Sequence, residues 1–388
     1  MKKTQLSVAI GLGMLLGGLA AGRVEAIPYT YTFIADNTGP FSSVNVIGRS
    51  PSINDAGTVA FLADLRAGGT GVFTGAGGPP TTIATTAGPL SFFLSGPYIN
   101  IAGTVAFVAN LDDGTSAVFT GSGGPLTPLY TSPPFSELFF AAPINAVGTV
   151  AFLASFPSDT GVFSGNGGPL TIIADTNRGP FNGFTVNQQD INNAGTVAFY
   201  ATLPAPTPGE GIFMGSGGAV TPVFSTSGFS TLFFGLALND PGTAAFLLIE
   251  PGGQPRIVTG NGGPLTTVAD TTGLFSSFSL GGPAINNAGT VAFLASLDDE
   301  NSGIFSGPDP VSDKVIETGD ALFGSSVASL FLFREGLNDA GQIAFLATLA
   351  DGREVVGRAD PVPEPPILLL LGAGGAFTAM ASRWRRGG

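Results

Sequence analysis

The chain has 388 residues, of which 11% are charged, and its 27 acidic side chains outweigh 14 basic ones for a net charge of −13. It contains no Cys and no His, which excludes disulfides, thiolate metal sites and any Cys or His nucleophile or base. The acidic balance repels phosphates and anionic lipid, so no nucleic-acid partner is expected.

At the start, Lys2 and Lys3 precede an apolar run from Leu6 to Ala21, and Val24-Glu25-Ala26 supplies the small residues of a signal-peptidase site. Residues 1–26 therefore read as a secretory signal removed after Ala26. A retained N-terminal anchor is the other reading.

The segment Ile53 to Phe61, Ile-Asn-Asp-Ala-Gly-Thr-Val-Ala-Phe, then sets the period of the rest. Its Asn returns as Asn54, Asn100, Asn145, Asn192, Asn239, Asn286 and Asn338, in steps of 46, 45, 47, 47, 47 and 52 residues. A Gly follows three positions later each time, as Gly57, Gly103, Gly148, Gly195, Gly242, Gly289 and Gly341. One supersecondary unit used seven times is the reading of such a period. Asn opening a type I turn, with a left-handed Gly at its end, makes each copy a hairpin. These Asn and Gly residues are expected to serve turn geometry alone. Pro241 is disfavoured at the third position of such a turn, so the fifth copy is expected to shift its frame by one, into a type II turn.

Between hairpins, a Gly-Val-Phe-Thr-Gly type strand recurs at 71–75, 117–121, 161–165, 211–215, 256–260 and 303–307. A Gly-rich turn and a further strand follow, at 81–86, 127–132, 171–176, 221–226, 266–271 and 314–319. Each repeat is thus a four-stranded antiparallel meander, the blade of a β-propeller. A parallel solenoid would not need a tight hairpin in every repeat. Consecutive apolar residues such as Val59-Ala60-Phe61-Leu62 suit a strand covered on both faces. The fold class expected is all-β, a seven-bladed β-propeller over residues 27–360. The hairpin occurs seven times but the fourth strand only six, and Thr30 to Thr38 resembles Leu170 to Thr176. Residues 29–36 are therefore expected to pair near Glu354–Gly357 and close the last blade.

After Asp360 the composition changes. Val362-Pro363-Glu364-Pro365 is followed by an uncharged apolar span, 366–382, and by Arg383, Arg385 and Arg386. The span is long enough for one C-terminal transmembrane helix, with its basic end kept cytoplasmic. This tail, residues 361–388, resembles the PEP-CTERM sorting signal of Gram-negative bacteria. The resemblance implies export, signal peptidase and an exosortase as processing partners, transient residence in the inner membrane, and release to the cell surface or extracellular space. Loss of both end segments would leave 8 basic and 25 acidic residues, a net charge of −17. The array itself resembles the tandem-repeat family named for Asn-x-x-Gly-x-Val-Ala-Phe, carried by Asn54, Gly57, Val59, Ala60 and Phe61, with departures at Ala244 and Ile343. That resemblance supports fold and export and assigns no chemistry.

Little else in the chain points to chemistry. The Gly-rich turns lack the Lys-Ser/Thr of a phosphate loop. Carboxylates gather as Asp112 and Asp113 and as Asp298, Asp299 and Glu300, in loops between second and third strands. Solubilising charge is one reading of them and weak Ca²⁺ binding another. The same rim is expected to carry Asp64, Asp159, Glu210, Glu250 and Asp351. Nearer the channel, Arg49, Tyr98, Gln188, Gln189, Asp190, Arg334 and Glu335 break the repeat with polar residues and form the candidate binding set. A sialidase-like site would need an arginine cluster and a Tyr nucleophile, and Tyr98 stands two blades from Arg334. The expected role is non-catalytic binding, of an exopolysaccharide or other glycan, or matrix structure. A glycan-active enzyme using Asp or Glu is the alternative.

Overall fold

Each Val-Ala-Phe run is the second strand of its own antiparallel sheet and is buried along its length. Successive side chains on such a strand point to opposite faces. Val59, Phe61 and Ala63 accordingly pack against Ala344, Leu346 and Val356 of the preceding blade. Ala60 and Leu62 pack against Phe93, Val105 and Phe107 of the next. The Phe of the run is at most 1% exposed in all seven copies. In five blades it packs on the Phe of the third strand, as in Phe61 on Phe73 at 5.8 Å and Phe107 on Phe119 at 5.7 Å, and in blade 5 it faces Val258 instead. In the last blade Gly357 replaces that Phe, because a Cβ there would meet the Phe345 ring at 2.6 Å. Burial of this kind stabilises each blade only against a neighbour, so the array holds together as a closed ring.

The computed structural model describes residues 28–45, 51–132, 135–139, 141–205, 208–227 and 232–363. These form seven antiparallel sheets of four or five strands each. Blade 1 runs through Val59–Leu65, Thr70–Gly75 and Thr81–Thr85, and the same order repeats to blade 7. The expected closure is present. Tyr29–Asp36 pairs antiparallel with Glu354–Pro361, from Tyr29 opposite Pro361 to Asp36 opposite Val355. Thr32 Oγ1 donates to Asp360 Oδ2 at 2.6 Å, and Tyr31 Oη reaches the Val315 carbonyl of blade 6 at 2.7 Å. The Val362 N–H donates to the Pro28 carbonyl at 2.8 Å, so the first and last described residues lie side by side.

The seven Gly residues of the Asn turns have φ between 75° and 85°. In every turn the Gly N–H returns to the Asn carbonyl. The fifth turn corrects the expectation of a shifted frame. Gly242 N bonds Asn239 O at 3.0 Å and Thr243 N bonds Asn239 Oδ1 at 2.8 Å, the pattern of the other six. Contacts made by the Asn239 side chain to the next blade hold that frame despite Pro241.

The signal segment and the tail, with Glu364, Pro365, the span 366–382, Arg383, Arg385 and Arg386, lie outside the described residues, as does Arg49. Val362 and Pro363 are exposed. Among the described residues no helix is long and apolar enough to cross a membrane.

Candidate functional site at the central channel

The inner strands are not continuous. In blade 4 the ladder passes from Phe184 opposite Ala201 to Gln189 opposite Phe199, so residues 185–188 stand against a single partner. Blade 7 likewise passes from Phe331 opposite Leu346 to Leu337 opposite Ile343, releasing 332–336. Blade 2 bulges at 94–97, where Leu94 and Ser95 both donate to the Val108 carbonyl. Extra residues on one strand bend it away from its ladder, and here the bends carry backbone into the channel. They leave a cavity of about 500 Å³ lined by Pro51, Leu94, Tyr98, Asn187, Gln188, Gly235, Leu280, Phe333, Arg334, Glu335 and neighbours. Between blades 5 and 6 the bends touch through backbone. A Cβ on Gly235 would lie 2.1 Å from the Gly282 Cα.

Arg334 organises this cavity. Its side chain is 8% exposed. One guanidinium N–H donates to Tyr98 Oη at 2.8 Å, another to the Asn187 carbonyl, and Nε to Glu335 Oε1 at 3.3 Å. The guanidinium also lies 5.8 Å from the Tyr98 ring centroid, within cation–π range. Blades 2, 4 and 7 are thereby tied across the axis. Asn187 supports this with φ 59°, a left-handed conformation that Asn tolerates better than most residues.

Asp190 sits in the wall behind. Its Oδ2 accepts from Leu238 N at 2.7 Å and its Oδ1 from Ile191 N at 2.8 Å. Burial, reinforced by the Glu335 carboxylate, holds Asp190 well above the usual carboxylate range, against the pull of Arg334 and the two N–H groups. Burial also raises Glu335, with Arg334 opposing. The Tyr98 hydroxyl is pushed up by burial, although Arg334 works against the shift. Burial disfavours the Arg334 charge, but Tyr98, Glu335 and Asp190 together outweigh it and hold the pKa above its ordinary value.

Of the residues singled out in the sequence, the fold brings together Tyr98, Gln188, Arg334 and Glu335, with Asp190 just behind. The separation of Tyr98 and Arg334 by two blades proves immaterial, because both bend into the same narrow channel. Gln189 is 1% exposed and turned to the Ala141 carbonyl at 3.5 Å, in the wall between blades. Asn187 and Phe333 were not legible as site residues. A non-repeating residue between Phe184 and Gln188 was the available signal for Asn187. Arginines other than Arg334 do not line this cavity among the described residues, so a sialidase-like cluster is not formed there.

The carboxylates expected on the outer loops do not converge. Among the described residues no group of three or more Asp or Glu side chains is arranged to hold a metal ion. Asp112 and Asp113 belong to blade 2 and Asp298, Asp299 and Glu300 to blade 6. Asp113 accepts from Thr115, and Asp299 from Asn301, each within its own turn. Asp64 accepts from Thr70, Asp159 from Thr176, and Glu250 and Asp351 pair with Arg256 and Arg353. Glu210 is not a loop residue. It lies on the strand Gly209–Gly215, 5% exposed, and accepts from Tyr200 Oη.

At the opposite end of the channel the repeat Asn residues do more than turn the chain. Each Oδ1 accepts the N–H four residues on, and each Nδ2 donates to the carbonyl of the next blade's Asn, from Asn54 through Asn338 and back to Asn54, at 2.9–3.3 Å. A closed ring of seven inter-blade hydrogen bonds results, around a smaller cavity of about 210 Å³. Glu335 lines both cavities.

Residues 36–360 match a family of unknown function, DUF7453. A comparison with curated proteins finds no match. Among solved structures, the β-propeller domain of the trilobed protease from Pyrococcus furiosus aligns at TM-score 0.50 and 9% identity, over 84% of this chain and 95% of that one. An oligogalacturonate lyase in complex with manganese aligns at 0.53 and 10%, over 87% and 98%. Prolyl oligopeptidase B from Galerina marginata aligns at 0.51 and 10%, over 84% of this chain but 48% of its own length. At such identities the likeness concerns the propeller fold alone. The Pyrococcus domain is described as an open velcro, whereas here Tyr29–Asp36 closes the last blade.

Proposed function

The chain belongs to the DUF7453 family, and because that family has no assigned function we propose one from the geometry. The protein is an exported propeller, processed at its tail and displayed at the cell surface or in the extracellular matrix, that binds the end of a glycan or similar polar ligand in its channel without converting it. The observation that carries this reading is Arg334, nearly buried yet lining an open cavity, with Tyr98, Gln188 and Asn187 converging from other blades. A few polar groups aimed into a cavity of this size are what small-molecule sites generally present. Pro361, near the end of the described residues, lies against Gly341 of an Asn turn, with Cγ 3.5 Å from where a Cβ would stand, on the rim opposite the Arg334 cavity; export and display themselves rest on the resemblance of the tail sequence to a sorting signal.

The raised carboxyls of Asp190 and Glu335 favour a second reading, a glycan-active enzyme, since perturbed acids mark catalytic sites. Glycoside hydrolysis generally needs two free carboxyl groups. Both Asp190 oxygens are engaged by backbone N–H groups, which leaves Glu335 without a second carboxyl, and binding is the better account. A glycan array run with a reducing-sugar release assay tests the two. Binding without release, lost in Arg334→Met, is expected; release abolished in Glu335→Gln would establish the enzyme.

A further inference from the structure

The polar groups left over in the Arg334 cavity are unequal in kind. Arg334 has five N–H donors and three are engaged, leaving two without a protein acceptor among the described residues. Gln188 Oε1 accepts from Leu236 N at 3.2 Å, so its amide N–H groups remain for a ligand. Tyr98 Oη accepts from Arg334, which turns its own O–H proton away from the guanidinium. Charged groups in the lining favour donors over acceptors. The Asp190 oxygens and the Asn187 carbonyl are in use, and Glu335 Oε2 alone remains among the carboxylates.

A neutral sugar offers one donor with every hydroxyl and would leave these donors and its own competing for acceptors. A carboxylate brings acceptors only and suits the planar guanidinium. We infer that the ligand group entering the channel is a carboxylate, as on an acidic sugar, held by Arg334 with Gln188 and Tyr98 and opposed by Glu335. This rests on the binding role argued above and names the chemistry of that same site. Groups facing Arg334 come from blade 2 (Tyr98), blade 4 (Asn187, Gln188 and Asp190) and blade 7 (Glu335). Of these, Glu335 is the carboxylate in direct contact with the guanidinium, and its raised pKa places its neutralisation above that of an ordinary carboxylic acid. As pH falls, Glu335 loses its charge before an ordinary carboxylate does, while the ligand is still ionised. Carboxylate binding therefore strengthens with acidity.

Calorimetric titration of the processed protein with D-glucuronate, D-glucose and succinate, at about pH 5 and about pH 7.5, tests this. Glucuronate is expected to bind at least about tenfold more tightly than glucose and more tightly at the lower pH. Succinate equal to glucuronate would keep the carboxylate assignment and identify a source other than sugars. Glu335→Gln should bind as tightly at the higher pH as at the lower. Arg334→Met should lose glucuronate while remaining folded at the titration temperature, as its own melting curve shows. Glucose binding as well as glucuronate, in an Arg334-dependent way, overturns the carboxylate assignment and leaves the binding role standing. No binding by any of the three, nor by an oligosaccharide array, overturns both.

Discussion

The two ends of the central channel are built from the same seven inner strands and differ in almost everything else. At one end every blade contributes the same Asn, and the side chains close a ring in which each amide serves its own turn and the neighbouring blade. At the other end the strands leave their ladders by different amounts, and single residues such as Arg334, Tyr98 and Asn187 meet across the axis. Repetition provides closure, and departures from it provide a cavity with directed polar groups. A rigid scaffold that holds variable segments over one rim is a general way of placing function.

The comparison can be broken most severely at the seam. Deleting residues 27–38 removes the partner of Glu354–Pro361, takes the buried Ile34 and Ala35 with it, and uncovers Phe61, Leu346 and Val356 of the same cluster. The expected cost is about 5 kcal/mol or more, seen as aggregation or oligomers in light scattering, and a monomer with unchanged melting would refute closure by this strand. Next comes the ring. Asn192→Ala strands the Thr196 N–H and the Asn239 carbonyl, an expected loss of about 3 kcal/mol in denaturant unfolding. Asn192→Asp keeps the acceptor for Thr196 and loses only the donor to Asn239, so it should cost less than Ala but more than nothing; an Asp variant as stable as the parent would mean that the inter-blade bond contributes nothing.

Acidity separates the regions by sign. Asp360 at the seam is held below its ordinary pKa by Thr32, Arg358 and Gln342, against the cost of burial. Its stabilisation is present above the unfolded-state value, about 4, and is lost as pH falls through the lower folded-state value. Asp190 and Glu335 are raised, so their contribution is present below the unfolded-state value and is lost as pH rises through the folded-state values. Melting curves should show Asp360→Asn flattening the acid limb alone. The smallest effect is expected on the outer loops. Asp112→Asn and Asp298→Asn should melt as the parent does, with or without millimolar Ca²⁺, and a calcium-dependent shift lost in either variant would restore the metal reading.

The ring and the seam differ from the cavity in how far they could be read from sequence. The spacing of Asn54 through Asn338 carries the blade count, and the missing seventh outer strand carries the closure, because both follow from local turn chemistry and strand arithmetic. The inter-blade bonds also had a signal that turn reasoning passes over. The first position of a type I turn accepts Asp or Ser as readily as Asn, yet all seven copies have Asn, since only an amide supplies the N–H₂ donor toward the next carbonyl. The frame at Pro241 misled because local preference argued for a shift while contacts across the blade boundary opposed it. The cavity was legible only as a list of polar departures from the repeat. Which of them meet depends on bulge size, and four released residues in blade 4 against five in blade 7 leave no mark in periodicity. Gln189 and Asp190 directly follow Gln188, yet the ladder resumes at Gln189, opposite Phe199, and bonds to the Ala141 carbonyl and the Leu238 N–H hold the two in the wall.

The central claim is that recognition belongs to the departing end of the channel. A crystal structure of the processed protein soaked with an acidic oligosaccharide tests it most directly. Ligand density against Arg334, Gln188 and Tyr98 is the predicted result. Density confined to the Asn ring or to the outer loops at Asp112 and Asp298, with the Arg334 cavity empty, would contradict it.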